Sequence, residues 1–141
     1  MSIVQGQTNS FKLQLYQGVH NFLTNNFYIA LYTGNVNLNQ ATTAYSSTNE
    51  VATSAGYTAG GKLLTGVTVS SDSSNGIAYI NFNNVNWTPV AFSTRCALIY
   101  NASASNASVA VIDFGSDKTC TTSFTITMPN NASTSALIRS S

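Results

Sequence analysis

Apolar and polar positions alternate in a way that changes along the chain. Phe27-Tyr28-Ile29-Ala30-Leu31-Tyr32-Thr33 is apolar on both faces, the pattern of a strand covered on two sides. From Leu63 onward the alternation becomes regular. Leu63 to Ser70 reads as a strand with Thr65, Val67 and Val69 on one side. The Asn-Gly turn in residues 71–76 returns the chain into Ile77 to Asn83, with Ala78, Ile80 and Phe82 inward. Asn84 to Pro89 reads as a corner holding Trp87 as a lid on the core. Further strands follow at Phe92 to Asn101, Ser108 to Phe114, Phe124 to Met128 and Ala136 to Arg139, with a turn at residues 115–118. Some seven strands at short spacings predict an all-β fold. The expected form is an antiparallel two-sheet β-sandwich, with a jelly roll as its close alternative.

The first third reads differently. Met1 to Asn9 carries no period and is expected to be a flexible or docking arm, with a single domain over residues 10–141. Phe11 to Gln17 predicts a short N-terminal helix capped by Asn9 or Ser10, with Phe11 and Leu15 on one face and Gly18 ending it. His20 follows in a loop and is expected at the surface or at an edge. Residues 35–60 form a polar connection longer than an ordinary loop, which Tyr45 and Tyr57 are expected to pin to the body.

Composition narrows the function classes. Charged residues make up 6% of the 141 residues, against about 25% in an average protein. Ser, Thr and Asn, more than a third of the chain, take their place. One Trp, seven Phe and seven Tyr argue for a folded chain. A formal net charge of +1 gives little long-range field, which argues against nucleic acid as partner and tolerates dense packing of like copies. No run of about twenty apolar residues predicts a membrane span, and the first residues lack the pattern of a secretory signal. Cys96 lies in an apolar run and reads as a small buried hydrophobe; a Cys96–Cys120 bridge is the less favoured alternative. The Asn-x-Ser/Thr matches at Asn86, Asn101, Asn106 and Asn131 are what chance gives in so Asn- and Ser-rich a chain.

Candidate chemistry is sparse. Gly56 to Lys62 fits the letter spacing of a phosphate-binding loop, but Leu63 stands where Ser or Thr must hold magnesium, and a strand follows where a helix is needed. The glycines read instead as a turn feeding a strand. The acids Glu50, Asp72, Asp113 and Asp117 show no spacing that forces two carboxylates to face each other, as a glycosidase requires. Asp113 or Asp117 is expected to bond backbone amides in a turn, and Arg95 to pair with an acid. His20 is the sole histidine, so a metal cluster or catalytic dyad built on it lacks partners. No cofactor, metal or catalytic residue is expected.

Several phrases taken together carry a resemblance. They are Phe11-Lys12 through Gly18-Val19-His20-Asn21-Phe22, Ala30-Leu31-Tyr32-Thr33, Thr42-Thr43-Ala44-Tyr45, Thr48-Asn49-Glu50-Val51, Gly56-Tyr57-Thr58-Ala59-Gly60-Gly61, Ala97-Leu98-Ile99-Tyr100-Asn101 and Val109 through Thr119. These resemble a family of small structural proteins of tailed bacteriophages, over Phe11 to Arg139. The resemblance implies a virion component assembled in the bacterial host cytoplasm and no catalytic site. The expected role is a capsid cement or decoration protein contacting the major capsid protein and copies of itself, as a homo-oligomer. A head–tail connector or tail component is the alternative within the same particle, and a carbohydrate-binding sandwich using Trp87, Tyr45 and Tyr57 is the alternative outside it. Ile3, Val4, Phe11, Leu15, Tyr45 and Tyr57 are the expected interface residues.

Overall fold

The computed structural model describes residues 2–53, 56–88, 91–132 and 134–140. Met1 of the expected arm, residues 54–55 of the long connection, Pro89 of the expected corner and Ser133 of the last Asn-x-Ser match lie outside the described residues.

The elements run β1 (Ser2–Ile3), β2 (Gly6–Gln7), α1 (Asn9–Tyr16), β3 (Phe27–Tyr32), β4 (Asn37–Leu38), β5 (Lys62–Leu63), β6 (Thr68–Asp72), β7 (Ile77–Asn81), β8 (Val85–Trp87), β9 (Phe92–Asn101), β10 (Ala107–Cys120), β11 (Phe124–Ile126) and β12 (Ile138–Ser140). The fold is all-β and sandwich-like, with one short helix. One layer is a five-stranded sheet in the order β2-β10-β9-β3-β5. The facing layer is the three-stranded β12-β7-β6 and the pair β11-β8. These pairings are antiparallel; β1 and β4 pair in parallel outside both layers.

The two-faced pattern of β3 has a direct outcome. Phe27, Ile29 and Leu31 enter a core shared with Phe82, Val85, Trp87, Ile126 and Ile138 of the facing layer. Ala30 and Tyr32 enter a second core on the other face, with Val36, Leu38, Cys96, Leu98 and Val111. β9 obeys the same alternation, with Ala97 and Ile99 on the first side and Cys96, Leu98 and Tyr100 on the second. The cover for the second face comes from β1, β4 and the chain up to Tyr45.

That cover corrects the reading of the arm. β1 lies beside β4, β2 lies beside β10, and Ile3 packs against the second core, so the described part of residues 1–9 is docked on its own domain. Two-residue strands carry no period, which is why the pattern looked irregular. The helix starts one residue after Thr8, which replaces Asn9 and Ser10 as the cap. Its hydroxyl accepts from Phe11 N at 3.3 Å and meets Ser108 Oγ at 2.9 Å in a buried contact. At the other end Gly18 (φ 73°) closes the helix with two bonds, Val19 N to Gln14 O and Gly18 N to Leu15 O.

Two expected strands also change. Leu63 to Ser70 is broken, because the backbone turns at Gly66 (φ 65°) and carries the chain from the edge of one layer, β5, into the other, β6. Leu64 faces inward at the crossing and donates from its N–H to Phe27 O at 2.8 Å. Conversely, the turn expected at residues 115–118 is an irregularity within one long strand, β10, between Asp113 and Lys118. The expected Ala136–Arg139 strand is shifted to Ile138–Ser140.

Candidate functional site

The carboxylate of Glu50 is where the chain concentrates its polar bonds. Asn49 adopts φ 62°, a left-handed turn that lays residues 49–51 along the end of β3. Thr33 N then donates to Asn49 O and Val51 N to Leu31 O, both at 2.9 Å, and Tyr32 bridges Glu50. Val51 is thereby buried, and the Glu50 side chain meets Tyr45 and Tyr57. Tyr45 Oη donates to Glu50 Oε1 at 2.6 Å; Tyr57 Oη and Gly60 N donate to Oε2 at 2.5 and 2.7 Å.

A second ring of contacts holds the donors. Tyr57 is buried in the first core beside Trp87 and Phe92, and its hydroxyl also accepts from Leu31 N at 2.9 Å. Tyr45 stacks on Tyr100 at 4.6 Å, on the side of the second core. Tyr100 Oη donates to Gly60 O at 2.6 Å, and Tyr32 Oη to Ser46 O at 2.7 Å. Glu50 therefore sits at the sheet edge between the two cores, bonded to a tyrosine from each. The arrangement pins the long connection to the body, as expected of Tyr45 and Tyr57. Its acceptor was not foreseen; the available signal was that Glu50 is the first acid of the chain, between those two tyrosines.

These groups are held in their neutral forms. Burial, and after it the Glu50 charge, pushes the Tyr32 phenol well above the usual tyrosine range. Burial and the bond to Glu50 do the same for Tyr45 and Tyr57, and Tyr100 is pushed up to about 12 by burial and the Glu50 charge. Burial also raises the Cys96 thiol to about 12. The sign of the stability effect follows. Below about pH 8 both folded and unfolded chains keep these groups protonated. Above that, the unfolded chain releases its thiol and then its phenols at ordinary values while the folded chain does not, so the unfolded state is favoured. Urea midpoints are expected to hold up to about pH 8 and to fall progressively from about pH 9 toward 12, with phenolate absorbance of these tyrosines appearing together with loss of the fold. Ionisation of all seven tyrosines near pH 10 with the fold intact would contradict this.

The other predicted residues fall in separate places. Phe11 and Tyr57 are buried in the first core, so the expectation that their side chains face a partner is corrected. Ile3 is half-buried on the second core; Val4 and Leu15 are exposed; Tyr45 is half-buried in the Glu50 cluster. Trp87 is also buried, so two of the three aromatics expected to stack on a sugar present no face for it. His20 is buried, not at the surface. Its two ring nitrogens contact Gln14 Oε1 at 2.8 Å and Asn101 Nδ2 at 3.0 Å, and burial lowers its pKa. Arg95 Nε pairs with Asp113 Oδ1 at 3.2 Å, and that oxygen also accepts from Gly115 N at 2.8 Å. The Gly115 bond and then Arg95 hold the Asp113 carboxyl below its usual range. Cys96 and Cys120 are free thiols, paired in register with Asp113 and Phe92 respectively. Lys62 bonds Asn86 O and lies 5.7 Å from the Trp87 ring centroid.

Among the described residues, no three His, Cys, Asp or Glu side chains converge as a metal site would need, and no helix is long and apolar enough to cross a membrane. A scan against models of protein families, a search of curated proteins and a search of solved structures each find no match to the chain.

Proposed function

We propose that this chain is a structural component of a tailed-bacteriophage virion, acting as a cement or decoration protein on the capsid. The observation that carries the reading is a run of apolar side chains left in water along α1 and the turn after it. Leu13 is 60% exposed, Tyr16 92% and Leu23 76%, with Leu15 and Val19 also exposed. Phe11 is the buried residue of the helix, while Leu13 and Tyr16 stand largely in water. Exposed apolar residues grouped in one segment mark a contact surface. The near-neutral composition and the resemblance to small phage structural proteins support the same reading.

In this reading the partner across α1 is the major capsid protein, and the stabilisation is the burial of apolar and hydroxyl- or amide-bearing surface between subunits. The arm expected from sequence as a docking element is replaced in that role by α1 and the turn after it, because its described strands pair with β4 and β10 and Ile3 packs on the domain's own second core.

Mass spectrometry of purified particles tests the assignment. A copy number comparable with that of the major capsid protein is expected. About a dozen copies or fewer would place the chain in a ring of the head–tail or tail assembly instead. Absence from the particle would overturn both.

A further inference from the structure

We infer that β6 is a self-pairing edge, through which two copies of this chain join their β12-β7-β6 sheets into one. This inference goes beyond the particle assignment and rests on the edge itself. β6 is the outermost strand of its sheet, bonded to β7 in an unbroken register from Thr68↔Asn81 to Asp72↔Ile77. Along Thr68 to Ser71, no backbone group bonds any described residue on the side away from β7. Natural edge strands are blunted by Lys, Pro, a bulge or a cover. Thr68-Val69-Ser70-Ser71-Asp72 has none of the first two, and its register shows no bulge.

The occupant follows from pattern and charge. Val69 lies opposite Ile80, which packs against the first core and lies opposite the buried Ile138. Val69 is thus on the inner face, yet it is 48% exposed because the sheet ends there. A neighbouring strand would continue that face. An antiparallel copy of β6 centred on Ser70 sets Val69 against Ser71 of the other copy and Thr68 against its Asp72. Each Asp72 then faces a neutral side chain, and the two Asp72 residues stand about 14 Å apart along the strands. The two Val69 side chains become diagonal neighbours on one face. A strongly charged peptide would meet one charge only, Asp72 at the end of the strand, and neutral residues along Thr68 to Ser71.

Sedimentation equilibrium of the full chain tests this. A reversible monomer–dimer equilibrium is expected, and Val69→Lys, which sets two cations near the dyad, is expected to weaken it at least about tenfold with an unchanged circular dichroism spectrum. Should that variant fold poorly, Ser70→Cys gives an independent reading. Opposed residues in an antiparallel pair have Cα atoms about 4.5–5.5 Å apart, within the range of a disulfide. Oxidised Ser70→Cys is expected to form a covalent dimer, while Thr65→Cys, outside the strand, is expected to form no covalent dimer. A chain that remains monomeric at millimolar concentration overturns the inference. So does a dimer that Val69→Lys leaves intact and Ser70→Cys fails to cross-link. Neither result bears on whether the chain is found in particles, which the copy-number measurement decides separately.

Discussion

Gly61→Ala is expected to remove about 4 kcal/mol of stability or more, enough to leave the purified chain largely unfolded. Gly61 adopts φ 84°, so any side chain there is strained. The larger cost is steric. A Cβ at this position would lie 1.9 Å from Ile29 O, 2.6 Å from its carbonyl carbon and 2.7 Å from Ala30 Cα. All of these belong to the backbone of β3, which cannot swing aside, so β5 would have to leave. That would break the Ile29↔Lys62 and Tyr28↔Leu63 pairing and drag Gly60 N away from Glu50. Gly66→Ala is the control. Its φ of 65° carries similar strain, but the atoms within 2.2–2.3 Å of its Cβ belong to the exposed Asn83 side chain, which can rotate into solvent. Its expected cost is about 1–2 kcal/mol. Urea unfolding of the two variants measures the difference; equal losses would mean that β5 yields easily and the close approach is of no consequence.

Glu50→Ala is expected to cost about 3 kcal/mol, because it strips an ionised acceptor from Tyr45, Tyr57 and Gly60 N together. Glu50→Gln separates charge from shape. Its amide oxygen can take the place of Oε2 and accept from Tyr57 and Gly60, while its NH2 donates to a Tyr45 hydroxyl that has turned round. A loss of about 1 kcal/mol is expected for this variant, the difference between a charged and a neutral acceptor. Denaturant midpoints of both decide it. If Glu50→Ala matches the wild type, the cluster is incidental to the fold and the long connection is held by its backbone bonds alone.

The contrast between these sites explains what could be read from residues. β3 was legible because six consecutive side chains with almost no polar member have only one stable setting, a strand covered on both faces. The hairpin at Asp72 to Ile77 was legible because Asn75-Gly76 has a local preference that does not depend on the rest of the fold. The Glu50 cluster was not, since hydroxyl donors arrive from both cores and nothing in their spacing along residues 45–60 encodes that meeting. His20 was misplaced for a related reason. Its burial depends on Gln14 and on Asn101, the latter 81 residues away, satisfying both ring nitrogens. The break between β5 and β6 hid behind a run of β-formers, where the lone Gly66 was too weak a signal against Leu64, Val67 and Val69.

The neighbours of β3 in its sheet also set the order in which the chain can mature during synthesis. β3 ends at Tyr32, and its partner β9 begins 60 residues later, at Phe92. At about 5–20 residues per second on the ribosome, that is roughly 3–12 s during which a two-sided greasy ribbon has emerged without its mate. No earlier stretch of the nascent polypeptide can complete the sheet, so a stalled or truncated translation product offers that ribbon to other chains. Cells overproducing this protein should therefore lean on holding chaperones in proportion to the time this window stays open, longest where elongation is slowest, rather than to the stability of the finished fold.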